Sequence, residues 1–257
     1  MPSPADADVR VLAPEELLDA ATLVSSSMLG TTAPETMQAW VDHMDDRVTH
    51  GAVTPDGRVV GVAQWFREEV SFAGISRPAA CVTAVAVASD QRRRGHLRRI
   101  MAAELASIAD AEVPVALLVA AEWPIYGRYG YGPAIEACGY ELDAQTARFA
   151  AEPAGSIELV TPQVLLPHLE AVHQARWART TGAVTRAPFV FEHVAGCRSW
   201  PGDKEDLGQR RGALWRDDDG IVQGAVAYAV EERWDRNRPR GKVEVKLLVG
   251  ATPAAER

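Results

Sequence analysis

Lysine is nearly missing from this 257-residue chain: Lys204, Lys242 and Lys246 are the only three, and arginine carries the remaining positive charge. Asp and Glu outnumber Lys and Arg by 35 to 27, a formal charge of −8. So acidic a chain offers no broad basic face for a nucleic-acid backbone, and its balance favours cationic substrates. Cysteine is also scarce. Cys81, Cys138 and Cys197 are odd in number and widely spaced, with no CxxC or Cys/His ligand pattern, which excludes a disulfide framework and a zinc site and fits a reducing cytoplasm. His43, His50, His168, His173 and His193 form no HxH or HExxH spacing, so structural roles are expected for them and no metal. Long apolar runs are absent. Val113 to Ala121 is the longest, far short of a bilayer span. The opening MPSPADADVRVL lacks a basic stretch followed by an apolar one, so it does not read as a signal peptide. The expectation is a soluble cytoplasmic protein with neither nucleic acid nor membrane as partner.

What is present is ordinary for a globular protein: 47% hydrophobic and 24% charged residues over a length that suits two domains. Val9–Leu12 reads as a strand, and Pro14-Glu15-Glu16 opens a helix carrying Leu17, Leu18, Ala21 and Val24. A second helix is expected over Pro34 to Met44. Strands over Val48–Val53 and Val59–Phe66 flank Pro55-Asp56-Gly57, a turn in which glycine supplies the positive φ. A further strand ends near Ala88. From Gln91 the period changes to 3.6, and Leu97, Ile100, Met101, Leu105 and Ile108 form one stripe. Val113–Val119 reads as a central strand buried on both faces, and Glu136–Ala144 alternates like another strand. Ala151–Gly155 is the expected boundary. Beyond it the order restarts: a strand over Ile157–Val160, Thr161-Pro162 as cap and first helical residue, a helix to about Arg179, then strands near Gly212–Trp215, Ile221–Val230 and Lys242–Val249. That resembles the opening of a second copy, and the sequence stops where the repeat would next require its glycine loop and helix.

The stretch Val82–Arg99, VTAVAVASDQRRRGHLRR, places five arginines in eight positions around Gly95, between a strand and a helix. Such a junction offers an anion free backbone N–H groups, a helix N-terminus and positive charge. Arginines at a helix N-terminus oppose the macrodipole, and a bound anion would compensate. A solvated charge run is the alternative. Gln209-Arg-Arg-Gly-Ala213 carries the same letters but leads into strand-like Ala213-Leu214-Trp215, so context separates the two.

The loop Arg92–Leu97 resembles motif A of the GCN5-related N-acetyltransferases (GNAT), departing at Leu97. The segment Glu122-Trp-Pro-Ile-Tyr126-Gly-Arg-Tyr-Gly-Tyr-Gly-Pro-Ala134 is more specific. With the arginine loop and the doubled order, it resembles the enhanced-intracellular-survival (Eis) family of multi-acetylating N-acetyltransferases, differing only by Tyr129 in place of Phe. That resemblance implies an α/β (α+β) fold of tandem GNAT units, each a mixed central sheet flanked by helices. Residues 1–150 would be catalytic, and 151–257 a GNAT-like domain incomplete at its C-terminal end. It implies acetyl-CoA as co-substrate, its pantetheine along Val85, Ala86 and Val87. Its pyrophosphate would sit on Arg93, Arg94, Gly95, His96, Leu97 and Arg98, with Ala121 and Glu122 also at the cofactor. Tyr126 would be the general acid, since a phenol stays protonated at neutral pH. Core packing is expected for Tyr129 and Tyr131. The family's base is a terminal carboxylate in a third domain, a position Arg257 is not expected to reach, so the general base is left unassigned. Acceptors would be primary amines of aminoglycosides, polyamines or lysine, with Glu35, Asp42, Asp45 and Asp46 either near a cationic substrate or simply solvated. A homo-oligomer is compatible with this, the family tending towards hexamers. A non-catalytic acyl-CoA-binding or regulatory protein, or a protein-lysine acetyltransferase, are the alternatives.

Overall fold

The structure is a computed structural model describing residues 7–30, 32–42, 46–72, 74–149, 154–200 and 207–256. The backbone falls into two compact units: residues 1–70 with 76–132, and residues 71–75 with 133–257. The boundary stretch expected at Ala151–Gly155 is described only from Ala154 onward.

In the first unit, β1 (Asp8–Val11) leads through a 3-10 turn at Pro14–Glu16 into α1 (Leu17–Ser27). Glu16 fixes this entry. Its carboxylate accepts two hydrogen bonds from Arg10, at 2.6 and 2.7 Å, and one from the Ala13 N–H at 2.8 Å. The Arg10 guanidinium holds that carboxyl down at about 2. α2 spans Pro34–Asp42; its expected last two residues, His43 and Met44, lie outside the described residues, as does Asp45. β2 (Val48–Val53) and β3 (Val59–Phe72) pair antiparallel across the Pro-Asp-Gly turn, where Gly57 has φ +86°. β4 (Ile75–Val87) follows, then α3 (His96–Asp110) and β5 (Val115–Leu118). The sheet order is β1-β2-β3-β4-β5, with β4 and β5 parallel as the α3 crossover requires. Val60, Val62, Ala63, Ile100 and Met101 make the core between sheet and helix.

Three expectations are corrected. The helix begins at His96 and not at Gln91, because Ser89–Gln91 forms a separate 3-10 turn and Arg93 and Gly95 take left-handed φ values of +63° and +84°. Val113–Val119 is not central: β5 is the sheet's edge in the described residues, only half-buried, and Val119 is 99% exposed. Glu136–Ala144 forms no strand and is exposed throughout. In both cases the side-chain pattern suits a strand, but a strand also needs hydrogen-bonding neighbours, which local pattern does not report.

In the second unit, β6 (Ser156–Val160) runs into α4 (Pro162–Arg179), with Thr161 at the N-cap and Pro162 first in the helix. α5 (Pro188–Ala195), β7 (Arg210–Arg216), β8 (Val222–Glu231), a short β9–β10 ladder (Trp234–Asp235, Arg238–Pro239) and β11 (Lys242–Gly250) follow. The strands β11-β8-β7-β6 form one antiparallel sheet. Leu165, Leu169, Phe191 and Leu214 form its core. The arginine-rich Gln209–Ala213 runs from the end of a short 3-10 turn into β7, not into a helix. Strand, helix, then consecutive antiparallel strands repeats the order of the first unit.

Candidate active site

Strand pairing opens the site. β4 pairs with β5 only from Ala79↔Val115 to Val82↔Leu118, yet β4 continues to Val87. Ala84, at φ +52°, bends the strand just past the last pair. The backbone of Val85, Ala86 and Val87 is therefore unpaired on the β5 side. On the other side it stays tied down, the Ala88 N–H donating to Val60 O at 2.9 Å.

The chain then turns through Ser89–Gln91 into the arginine loop. Arg58 clasps Asp90 with both guanidinium nitrogens, at 2.8 and 3.0 Å, and holds that carboxyl at about 2. Gly95 is the N-cap of α3, has no side chain to cap it, and is followed by no acidic residue in the first turn. The first-turn amides thus keep their donors, and the positive end of the helix meets Arg93, Arg94 and Arg98, none paired with a carboxylate among the described residues. His96 is turned inward. It is 2% exposed, burial and Arg99 and Arg94 push its imidazole down, and neither ring nitrogen has a partner.

A cavity of about 440 Å³ joins these parts. Val85, Ala86, Val87, Arg93, Gly95, His96, Leu97, Arg98, Ala121, Glu122 and Tyr126 all line it. Arg94 does not; it is exposed. The sequence reading missed Ser27, Met28, Gln91, Arg92, Ile125 and Arg128 on the same wall. Ser27 and Met28 end α1, far away in the chain and without a motif. The other four are immediate neighbours of motif residues, which was the available signal.

Tyr126 sits in a 3-10 helix, Trp123–Tyr129, that begins after Glu122. Burial, then the nearby Glu122 charge, raise its phenol above the ordinary 10 and keep it protonated. Tyr131 stands edge-on to Tyr126, centroids 6.0 Å apart. Tyr129 and Tyr131 both pack against the core, as expected, but Tyr129 also lines the cavity, which was not expected. Of the acidic candidates, Glu35 lies in the first turn of α2 and Asp42 ends it, where Asp42 accepts from Gln38 at 2.7 Å; none of Glu35, Asp42 or Asp46 lines the cavity. No cluster of potential metal ligands occurs among the described residues, and no helix is long and apolar enough to cross a membrane.

Residues 8–134 match the acetyltransferase (GNAT) domain family. Over 260 residues the chain is 34% identical to an N-acetyltransferase of Streptomyces griseus, covering 97% of this chain and 62% of that protein. It is 34% identical over 200 residues to the N-acetyltransferase Eis of Mycobacterium tuberculosis, covering 72% of this chain and 49% of Eis. Among solved structures, Eis1 of Mycobacterium abscessus superposes with a TM-score of 0.74 at 24% identity, over 97% of this chain and 61% of that one. The chain thus spans about three-fifths of the length of the first of these relatives.

Proposed function

This chain carries an acetyltransferase domain of the GNAT family over residues 8–134, and from that premise we propose that it moves the acetyl group of acetyl-CoA to a primary amine of a small cationic acceptor. One observation carries the reading: a single cavity joins an unpaired strand end, an uncapped helix N-terminus and a protonated phenol. The donor needs all three. The Val85–Val87 backbone beyond the last β5 pair, where among the described residues only the Val87 carbonyl is met by a side chain, Arg92 Nε at 3.5 Å, matches an amide-rich pantetheine arm, as an added strand would. The α3 N-terminus with Arg93 and Arg98 matches a pyrophosphate.

Acetyl-CoA supplies an activated thioester carbonyl. The amine attacks as the free base, forming the C–N bond and releasing a proton to solvent. As the C–S bond breaks, Tyr126 Oη–H gives its proton to the departing sulfur, and the phenolate regains one from solvent. In this reading the first unit is catalytic and carries the donor site. The acidic charge suits aminoglycoside, polyamine or lysine-type amines. The three free cysteines, Cys81, Cys138 and Cys197, suit the cytoplasm.

Calorimetry and kinetics test this together. Arg93→Ala should weaken acetyl-CoA binding about tenfold, the loss of one charge-assisted phosphate contact, while Arg94→Ala should change it little. Tyr126→Phe should lower kcat about 100-fold or more with acetyl-CoA affinity nearly unchanged. No acetyl-CoA binding would sink the donor site. Binding without thiol release across aminoglycosides, polyamines and lysine peptides would make the chain an acyl-CoA-binding protein instead.

A further inference from the structure

The second unit has a cavity of its own, in a stretch that carries no motif. It measures about 450 Å³, the size of a site for a small organic molecule and more than a lone ion needs. Glu170 and His173 reach it from α4, Arg186 from the loop before α5, and Pro188 and Phe191 from α5 itself.

Arg186 is the group in this lining that calls for a ligand. It pairs with no carboxylate among the described residues. Its guanidinium is nonetheless hemmed in by protein, since burial pushes it down and no neighbouring charge opposes that. Water still reaches the residue, which is exposed. A cation crowded by protein yet open to solvent belongs to the wall of a concavity, and Arg186 lines this one. An arginine kept for solubility alone would gain nothing from such a place, because crowding costs it hydration. Its fork of N–H donors matches a carboxylate.

The remaining lining narrows the ligand. Glu170 shares the cavity and offsets the Arg186 charge, so one negative charge is accommodated better than a phosphate dianion. His173 is neutral at pH 7, its imidazole pushed down by burial, then by Arg186 and Arg176. The His173 ring stands edge-on to Phe191, with centroids 5.0 Å apart and planes at 70°. Together with Pro167 and Pro188 the two rings give the cavity an apolar side.

We propose that this cavity binds a small organic monocarboxylate, its carboxylate on Arg186 and its apolar or aromatic body against His173, Phe191 and the two prolines. The site shares no lining residue with the donor cavity, so it stands whether or not the chain transfers acetyl groups.

A ligand series on the full, unsubstituted chain tests this. Phenylacetate supplies both the carboxylate and an aromatic body. Phenylacetamide keeps the shape without the charge, acetate keeps the charge without the body, and inorganic phosphate offers charge alone. NMR of protein labelled at histidine Cε1 reads the cavity directly, the His173 signal being assigned from His173→Gln. Phenylacetate should move that signal saturably, with a Kd of about 1 mM or tighter. Phenylacetamide and acetate should each bind about tenfold more weakly or worse, one lacking the charge-assisted bonds and the other the buried ring. An unmoved His173 signal would overturn the proposal, and so would phosphate binding as tightly as phenylacetate, which would mean a general anion patch. Arg186→Gln should weaken phenylacetate about tenfold, and an unchanged affinity would remove Arg186 from the site and overturn the proposal. The ligand series carries the test if that variant does not fold. Arg93→Ala should leave the titration unchanged; loss of binding there would place phenylacetate in the donor cavity and overturn the proposal as well.

Discussion

At the scale of single residues, protonation is the property most worth testing. Burial, and after it the Glu104 charge, push the Tyr131 phenol up to about 12 from the ordinary 10. A folded pKa above the unfolded one means that the folded chain holds the proton more tightly. Its contribution to stability is therefore complete below pH 10 and is lost as pH rises towards 12. Urea midpoints at about pH 9 and about pH 11 should fall apart in the wild type and lie closer together in Tyr131→Phe. An equal drop in both proteins would mean that other groups dominate the alkaline loss. Glu104 itself was the residue least legible in the sequence. The apolar stripe of α3 that the period picks out, Leu97, Ile100, Met101, Leu105 and Ile108, does not include it. Yet His96, Ile100 and Glu104 recur at a spacing of four, and all three are buried. That spacing was the available signal, but its partner His50 lies 54 residues away in sequence, and no local pattern links the two.

At the scale of elements, what the sequence revealed depended on how local the cause was. Pro55-Asp56-Gly57 and Thr161-Pro162 encode their own geometry, and the elements beside them begin within a residue or two of where the pattern puts them. The β4–α3 junction was legible for the same reason, because glycine and arginine in that order restrict the backbone. Val113–Val119 and Glu136–Ala144 were misread because their state depends on which strand lies alongside. Two glycines separate the costs at such junctions. Gly95 has φ +84° and open space around an added Cβ, so Gly95→Ala should cost only backbone strain, about 1 kcal/mol. Gly155, at φ +71°, would bring a Cβ to 2.2 Å from the Arg216 carbonyl oxygen, where β7 backbone must shift. Gly155→Ala should therefore cost about 3 kcal/mol or more. Thermal melts should show the larger drop for Gly155; equal drops would mean that strain and not space sets both costs.

At the scale of the whole molecule, charge and site have opposite signs. The chain carries −8 overall, while Arg92, Arg93 and Arg98 line the donor cavity. On the proposed function, an anionic donor would be held by short-range contacts and a cationic acceptor drawn by the long-range field. Salt should act on the two substrates differently. The Debye length shrinks from about 30 Å at 0.01 M to about 10 Å at 0.1 M, which removes the field but spares contacts inside a cavity. Between those ionic strengths the KM of a polycationic acceptor should rise roughly threefold or more, and that of a monoamine much less. Acetyl-CoA affinity should weaken only where its phosphates meet exposed arginine. Steady-state kinetics over a salt series, with spermidine and a simple primary amine as acceptors, would decide. Equal salt dependence for the two would mean that the acidic surface takes no part in acceptor choice, and that selection lies wholly in the walls of the cavity.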